Sequence, residues 1–348
     1  MKVLHLTYSL EYGGIETMLV NIINEQINSV EVFLICINDN VEKSLTGKIN
    51  QKIKCIYIGR RRGTKNPIDI MNLNFKIHQI KPDVIHVHHP SIIRYLFRPF
   101  LSGKIVITMH AIPRDFDYPY LPKYDAVYAI SNSVKNELDA HTINSVVVYN
   151  GIHPQIFKKR RFVNSSNSNY NIVQVGRLVV RNKGQDLSVR AIKMLIDRGY
   201  ADISLTLIGD GPDKNMLLEL IGNLGIDNYV QVVGKKDQDY ISEHLRDYSL
   251  FIQPSRREGF GLTVAEAMAS KVPVLVSDQQ GPMELIQHGI YGLYFKTENV
   301  EDLCEKIICS RHKTNMDMIE KAYTYILNNF DVKLTASNYL KEYKKILV

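Results

Sequence analysis

The chain reads as an α/β protein of two Rossmann-like domains, each a parallel sheet with helices between its strands. Three observations lead there. Short β-branched runs alternate with helical patterns along most of the sequence, as βαβ units require. The alternation breaks once, at the polar, uncharged stretch 162–169, and then starts again. The length, 348 residues, suits two domains of ordinary size.

Residues 3–7 form the first strand, and a helical pattern over 16–27 follows it. Further strands are expected at 32–37, 53–58, 84–88, 105–110, 126–130 and 145–148, with helices at 68–80 and 133–140 between some of them. After the break, strands fall at 171–175, 203–208, 229–233, 250–253 and 273–277, separated by helical stretches such as 186–198 and 214–224. An amphipathic helix over 332–347 closes the chain. The domains are therefore placed at 1–157 and 158–330, with 331–348 as a C-terminal helix that crosses back to the first domain.

Composition narrows the function. Apolar residues make up 45% and charged residues 23%, ordinary for a folded soluble protein and unlike a disordered one. Cys36, Cys55, Cys304 and Cys309 form no CxxC pair and read as reduced thiols of a cytoplasmic protein. No apolar run has the length of a membrane span, and residues 1–6 read as a strand rather than a signal peptide. The net charge of +7 is uneven: residues 1–161 carry +8, half of it in Lys158-Lys159-Arg160-Arg161, and residues 162–348 carry −1. Such basic surface suits phosphorylated ligands or anionic lipid; solvated lysines and a charged linker account for it equally.

Glycines mark the ligand-facing turns. Gly13-Gly14 follows the first strand and opens a helix, where backbone approaches an anion at a positive helix N-terminus. Gly209-Asp210-Gly211-Pro212 ends a later strand. Neither completes GxGxxG, and no P-loop is present. His86, His88 and His89 lack further ligands at zinc spacing and read as core or loop histidines. Asp115-Phe116-Asp117 and Asp237-Gln238-Asp239 match DxD but sit in charged, turn-like stretches. Two signals are stronger. Gly176-Arg177, with Lys183-Gly184 after it, puts two cations at a strand end and a helix start, suited to a diphosphate. Glu258-Gly259-Phe260-Gly261 precedes a helix that carries Glu266. Free amides at Leu262 and Thr263 suit phosphate oxygens, and the two carboxylates suit sugar hydroxyls. The plainer alternatives are a basic turn and a glycine loop with solvated glutamates.

In order, Gly-Arg-x5-Lys-Gly, Gly-Asp-Gly-Pro and Glu-Gly-Phe-Gly-x4-Glu-Ala-Met-Ala strongly resemble the family 4 glycosyltransferases, over about residues 172–295. Tyr12-Gly13-Gly14-Ile15-Glu16, Thr108-Met109-His110, Ala129-Ile130-Ser131 and Tyr149-Asn150-Gly151 extend the resemblance into the first half. It implies a retaining enzyme of the GT-B fold, two facing Rossmann-like domains with the active site between them. It implies these roles: Gly14 approaches the donor diphosphate, His110 lies beside the transferred sugar, and Arg177 and Lys183 grip the diphosphate. Glu258 meets the sugar hydroxyls, Glu266 the ribose, and Leu262 and Thr263 supply helix-start amides. Lys236 brackets the base, and Gly209 lies near the same pocket. Gly281-Pro282-Met283-Glu284 fits the family's Gly-x-x-Glu.

The reaction so implied breaks a sugar–phosphate bond through an oxocarbenium-like transition state and needs neither metal nor cofactor, the nucleotide sugar being substrate. The donor phosphate takes the acceptor proton, or a carboxylate forms a covalent intermediate as in retaining glycosidases. UDP and GDP both stay open. A GT-B epimerase or phosphorylase, and a non-catalytic binder of anionic polymer or lipid, are the alternatives. The partners expected are a nucleotide-sugar donor and a glycan acceptor on a polyprenyl diphosphate, with no nucleic acid. Arg60-Arg61-Arg62 and the stretch 94–101, which interleaves arginines with Tyr95, Leu96, Phe97 and Phe100, suggest contact with an anionic membrane at the cytoplasmic face. Core packing of Leu96, Phe97 and Phe100 is the other reading.

Overall fold

The computed structural model describes residues 1–11, 13–161, 169–313 and 315–348. Tyr12 and most of the polar stretch 162–169 lie outside the described residues. The chain forms two compact units: Met1–Ile152 together with Val332–Val348, and His153–Asp331.

The first unit is a seven-stranded parallel sheet. Its strands are β1 (Lys2–Thr7), β2 (Glu31–Asn38), β3 (Lys54–Arg60), β4 (Val84–Val87), β5 (Lys104–Met109), β6 (Ala126–Ala129) and β7 (Val146–Val147). Helices α1 (Gly14–Gln26), α2 (Lys43–Thr46), α3 (Pro67–Ile80) and α4 (Asn132–Ala140) connect some of them. The order is β3-β2-β1-β4-β5-β6-β7, so the topology reverses between β1 and β4. Open parallel sheets bind ligands outside the carboxyl ends of their strands at such a point. The strands are apolar runs because both faces are covered: Val32, Phe33, Leu34, Ile35, Cys36 and Ile37 of β2 are all buried.

The second unit is a six-stranded parallel sheet. It contains β8 (Tyr170–Val175), β9 (Ile203–Ile208), β10 (Val230–Gly234), β11 (Leu250–Gln253), β12 (Val274–Ser277) and β13 (Leu293–Phe295). Its helices are α5 (Val180–Lys183), α6 (Gln185–Asp197), α7 (Lys214–Asn223), α8 (Gln238–His244), α9 (Leu262–Ala269), α10 (Gln280–Leu285), α11 (Val300–His312) and α12 (Met316–Asn329). The order β10-β9-β8-β11-β12-β13 reverses between β8 and β11. Strand β13 has only three residues and was not expected from the sequence.

The closing helix α13 (Val332–Leu347) belongs to the first unit and packs on α1. The units divide at Ile152/His153 and not at 157/158, because the turn Pro154–Ile156 packs on α9 of the second unit. Cys36, Cys55, Cys304 and Cys309 are free thiols. No helix among the described residues is long and apolar enough to cross a membrane.

Candidate active site

In the second unit the expected residues gather at the carboxyl ends of β8, β9 and β11. The Lys183 ammonium forms an ion pair with Glu258 Oε2. Gln253 Nε2 donates to the same oxygen at 2.9 Å, and Thr263 Oγ1 donates to Gln253 Oε1 at 2.8 Å. A cation, a carboxylate, an amide and a hydroxyl thus run in one hydrogen-bonded chain from the end of α5 to the first turn of α9. Gln253, the last residue of β11, is buried and is the link that joins the two sequence signals.

Local structure fixes both ends of this chain. Gly261, at φ +105°, caps α9 in a left-handed conformation that favours glycine. The helix then starts at Leu262, so the amides of Leu262 and Thr263 have no intrahelical acceptor and face the positive end of the helix dipole. Glycine at 281 lets α10 support the Glu258 loop: a Cβ there would sit 2.6 Å from the Glu258 carbonyl oxygen. The Lys183 turn is held from behind. Gln174 Nε2 donates to the Lys183 carbonyl at 2.9 Å, and Gln185 Nε2 to the Arg177 carbonyl at 2.9 Å.

Arg256, which the sequence reading passed over, clamps this turn to the loop after β11. Its guanidinium donates to Val180 O at 2.8 Å and to both oxygens of Asp186 at 2.7 and 2.9 Å, and it also pairs with Glu298. Its backbone amide donates to Asn182 O at 2.8 Å. Hydrogen bonds to the two carboxylates hold its pKa above the usual arginine value.

The remaining assignments divide. Arg177 is exposed, with no ion-pair partner among the described residues, and so is open to an anion. Glu266 accepts from Gln238 Nε2 at 3.1 Å. Burial pushes its carboxyl up to about 7, partly offset by that bond. Lys236 lies in the loop after β10 with its ammonium 5.0 Å from the Tyr240 ring. Gly209 has a steric role. A Cβ there would lie 1.9 Å from the Gly176 carbonyl oxygen, so its smallness lets the β8 and β9 loops touch. Asp237 caps α8 by accepting from Tyr240 N at 2.8 Å, and Asp117 accepts from Arg114 N at 3.0 Å; these DxD carboxylates serve local turns.

In the first unit, Gly14 is the first residue of α1. His110 follows β5 and is half-buried. Its Nε2 lies 2.9 Å from His88 Nδ1, His88 Nε2 lies 3.0 Å from His5 Nδ1, and His5 Nε2 lies 2.8 Å from Gln26 Oε1. Burial lowers His5 and His110 to about 4 and His88 well below its usual value. His86 is buried beside them, between Thr108 Oγ1 at 2.7 Å and Tyr343 OH at 2.5 Å. The nitrogens of His5, His86 and His88 could converge on a metal ion, but each already has a hydrogen-bond partner, as core histidines do.

A second surface of this unit departs from expectation. Arg60 is buried, bonded to Asn38 Oδ1 at 3.0 Å and stacked near Tyr8 and Tyr95. Tyr95 and Leu96 are also buried. Phe97 and Phe100 are exposed, in short turns rather than a regular helix. Beside them α3 presents Ile68, Met71 and Phe75 to solvent, 71%, 64% and 56% exposed. Asn74 Oδ1 accepts from Phe97 N at 2.7 Å and ties the two segments together. Arg61, Arg62 and Lys65 are exposed just before α3.

Two parallel-sheet α/β units of this kind are the architecture of the GT-B fold. The family model for glycosyl transferases group 1 matches residues 155–325, and that for glycosyltransferase family 4 matches residues 12–156. The chain belongs to the family 4 glycosyltransferases. It is 26% identical to an uncharacterized glycosyltransferase of Methanocaldococcus jannaschii, over 99% of this chain and 93% of that one. It is 28% identical to the N-acetyl-alpha-D-glucosaminyl L-malate synthase of Bacillus anthracis, over 76% and 75%. The structure of Anabaena HepE in complex with UDP and glucose superposes with a TM-score of 0.83 at 19% identity, covering 99% of this chain and 100% of that one.

Proposed function

We propose that this glycosyltransferase moves a hexosyl or N-acetylhexosaminyl unit, with retention, from a UDP-sugar to a glycan acceptor carried on a polyprenyl diphosphate, in surface-polysaccharide synthesis. The observation that carries the reading is the Lys183–Glu258–Gln253–Thr263 chain beside the open amides of α9. HepE with UDP and glucose, and the N-acetylglucosaminyl synthase, support the donor class. Arg177, Lys183 and the α9 amides neutralise the leaving diphosphate, the charge that grows in the transition state, so the transfer needs no metal or cofactor. When diphosphate engages Lys183, Glu258 is released to the sugar hydroxyls. His110 lies beside the sugar, Gly14 approaches the diphosphate, and Glu266 receives the ribose. A binder of anionic polymer leaves the Lys183–Glu258 chain without a role.

A thermal-shift panel of UDP- and GDP-sugars tests this, since a bound donor raises stability by mass action. One UDP-hexose or UDP-N-acetylhexosamine should raise Tm and, with acceptor and EDTA present, yield the retained anomer by NMR. No shift from any member, or an inverted product, would sink the proposal.

The ribose role of Glu266 makes donor affinity depend on pH. Ribose hydroxyls donate to the ionised carboxylate and favour it. With its pKa raised to about 7 by burial, affinity for UDP should climb about tenfold from pH 6 to pH 8 and then level off, with protons released on binding. The same shift makes Glu266 a stability contribution fully present below the ordinary carboxylate range and lost as pH rises through about 7. Calorimetric titration of UDP in buffers of different ionisation enthalpy reads both. A flat affinity profile in the wild type, or a slope that persists in Glu266→Gln, would remove Glu266 from the ribose.

Association with an anionic membrane face is part of the proposal, and the exposed α3 stripe supports it. Ile68, Met71 and Phe75, with Phe97 and Phe100, offer apolar side chains to the interface. Residues 60–98 carry eight Lys/Arg against two Asp, which favours anionic lipid. Sedimentation with phosphatidylglycerol vesicles should pull the protein down at low salt. Arg61/Arg62→Ala or Ile68/Met71/Phe75→Ser should each weaken binding about tenfold or more. Equal binding to neutral vesicles, or no effect of these changes, would leave the stripe without this role.

A further inference from the structure

Arg256 commits its whole guanidinium to protein partners. The group has a planar fork of N–H donors, and all five find acceptors. Nε donates to Glu298 Oε1, Nη1 to Val180 O at 2.8 Å and Asp186 Oδ1 at 2.7 Å, and Nη2 to Asp186 Oδ2 at 2.9 Å and Glu298 Oε2 at 3.0 Å. The arginine and Asp186 are only 22% and 18% exposed, so this bidentate pair is partly shielded from solvent. No donor is left over for a ligand, and two carboxylates surround the one cation. Arg256 therefore does not grip a phosphate itself.

What it grips is the segment that carries Lys183. Helix α5 runs only from Val180 to Lys183, too short to stand by its own hydrogen bonds. Asp186 lies in the first turn of α6, directly after it. The backbone amides of Arg256 and Arg257 both donate to Asn182 O, at 2.8 and 3.2 Å. Gly184, at φ +64°, lets the turn close on this loop, because a Cβ there would lie 2.0 Å from the Pro254 carbonyl oxygen. Glu258 stands two residues beyond Arg256 on the same loop. Arg256 thus ties the segment bearing the Lys183 ammonium to the segment bearing its partner carboxylate. Glu298 completes the fork while holding φ +67°, a left-handed conformation unfavourable for a residue with a side chain.

We propose that Arg256 is a positioning residue for the transfer. By fixing the Val180–Lys183 turn against the Glu258 loop, it sets where the Lys183 ammonium meets the donor diphosphate. The role rests on the reading of Lys183 as a diphosphate cation, and every group in it belongs to the second unit. Lysine cannot replace arginine here, because an ammonium has three donors and no planar fork. A misplacement of about 1 Å in such a site costs about a hundredfold in rate.

Hydrogen exchange of the full chain reads the clamp without any donor. The amides of Lys183 and Gly184 are bonded within the turn, to Val179 O and Val180 O. In Arg256→Lys they should exchange about tenfold faster or more, with the amides of β8 and β9 unchanged. Wild-type protection of the turn, or a rise spread evenly over the unit, would overturn the clamp. Turnover of the nucleotide sugar that gives the largest thermal shift reads the role. Arg256→Lys should lower kcat/KM about a hundredfold alone, and less than about threefold when Lys183 is already Ala. An equal loss in both backgrounds, or a folded Arg256→Lys with wild-type kcat/KM, refutes positioning through Lys183. Asp186→Asn leaves one oxygen of the bidentate pair and should follow the same pattern with a loss of about tenfold. It carries both measurements should Arg256→Lys fail to fold. Wild-type activity in Lys183→Ala alone would instead remove Lys183 from the diphosphate, a failure of that reading which the exchange result would not share.

Discussion

Lys183→Ala and Glu258→Ala are each expected to lower kcat/KM by about a hundredfold or more, a loss of ~2.7 kcal/mol or more of transition-state stabilisation, with the fold intact. The two side chains are paired in the unliganded protein and are 30% and 15% exposed. Removing Lys183 takes away the cation that meets the leaving diphosphate, so kcat should fall more than donor affinity. Removing Glu258 takes away the carboxylate for the sugar hydroxyls and leaves Lys183 without its resting partner. The residues share one chain, so their effects should not add. The double variant should lose clearly less than the sum of the singles. Gln253→Leu should weaken catalysis through the same chain, because it unpins Glu258 from Thr263. Circular dichroism shows whether each variant is folded. A folded Lys183→Ala or Glu258→Ala with wild-type kcat/KM would remove that residue from the chemistry.

The alternation of strands and helices gave both sheets, and the glycine punctuation located their ligand-facing ends. These features are local, so the sequence displays them. What joins the parts is not local. Gln253 looks like one more strand residue until β11 brings it between Glu258 and Thr263. Arg256 reads as a surface charge until the fold sets it against Asp186, Glu298 and the Val180–Lys183 turn. His86 and His88 are adjacent in sequence to nothing that explains them; only parallel pairing of β1 with β4 brings His5 to them.

Periodicity does not tell which face of a helix is inside. Helix α3 carries two apolar stripes, Leu73, Ile77 and Ile80 toward the core and Ile68, Met71 and Phe75 toward solvent. Both repeat at helical spacing, and only packing against the sheet chooses between them. In the same way Arg60 stands in an arginine run that looks solvated, yet at the end of β3, where the pairing with β2 shifts register, it lies inward on Asn38, Tyr8 and Tyr95.

The largest stability effect is expected at Tyr343. It is fully buried on α13, and its hydroxyl meets His86 Nδ1 at 2.5 Å. Tyr339, one turn earlier and also fully buried, accepts from Thr108. These contacts hold the C-terminal helix to the sheet of the first unit. Tyr343→Ala empties the aromatic site and orphans a buried histidine nitrogen, at a cost of about 3–5 kcal/mol. Tyr343→Phe keeps the ring and loses only the hydroxyl, at about 1–3 kcal/mol. Burial already holds the Tyr343 phenol well above its usual pKa, so the hydroxyl acts as a neutral donor and the cost of removing it in Tyr343→Phe should not depend on pH from 6 to 9. Denaturant unfolding measures both costs, and hydrogen exchange should show α13 opening in Tyr343→Ala well before Tyr343→Phe. A loss under about 1 kcal/mol for Tyr343→Ala would mean that α13 is held by its contacts with α1 alone and that the buried tyrosine–histidine contact is incidental.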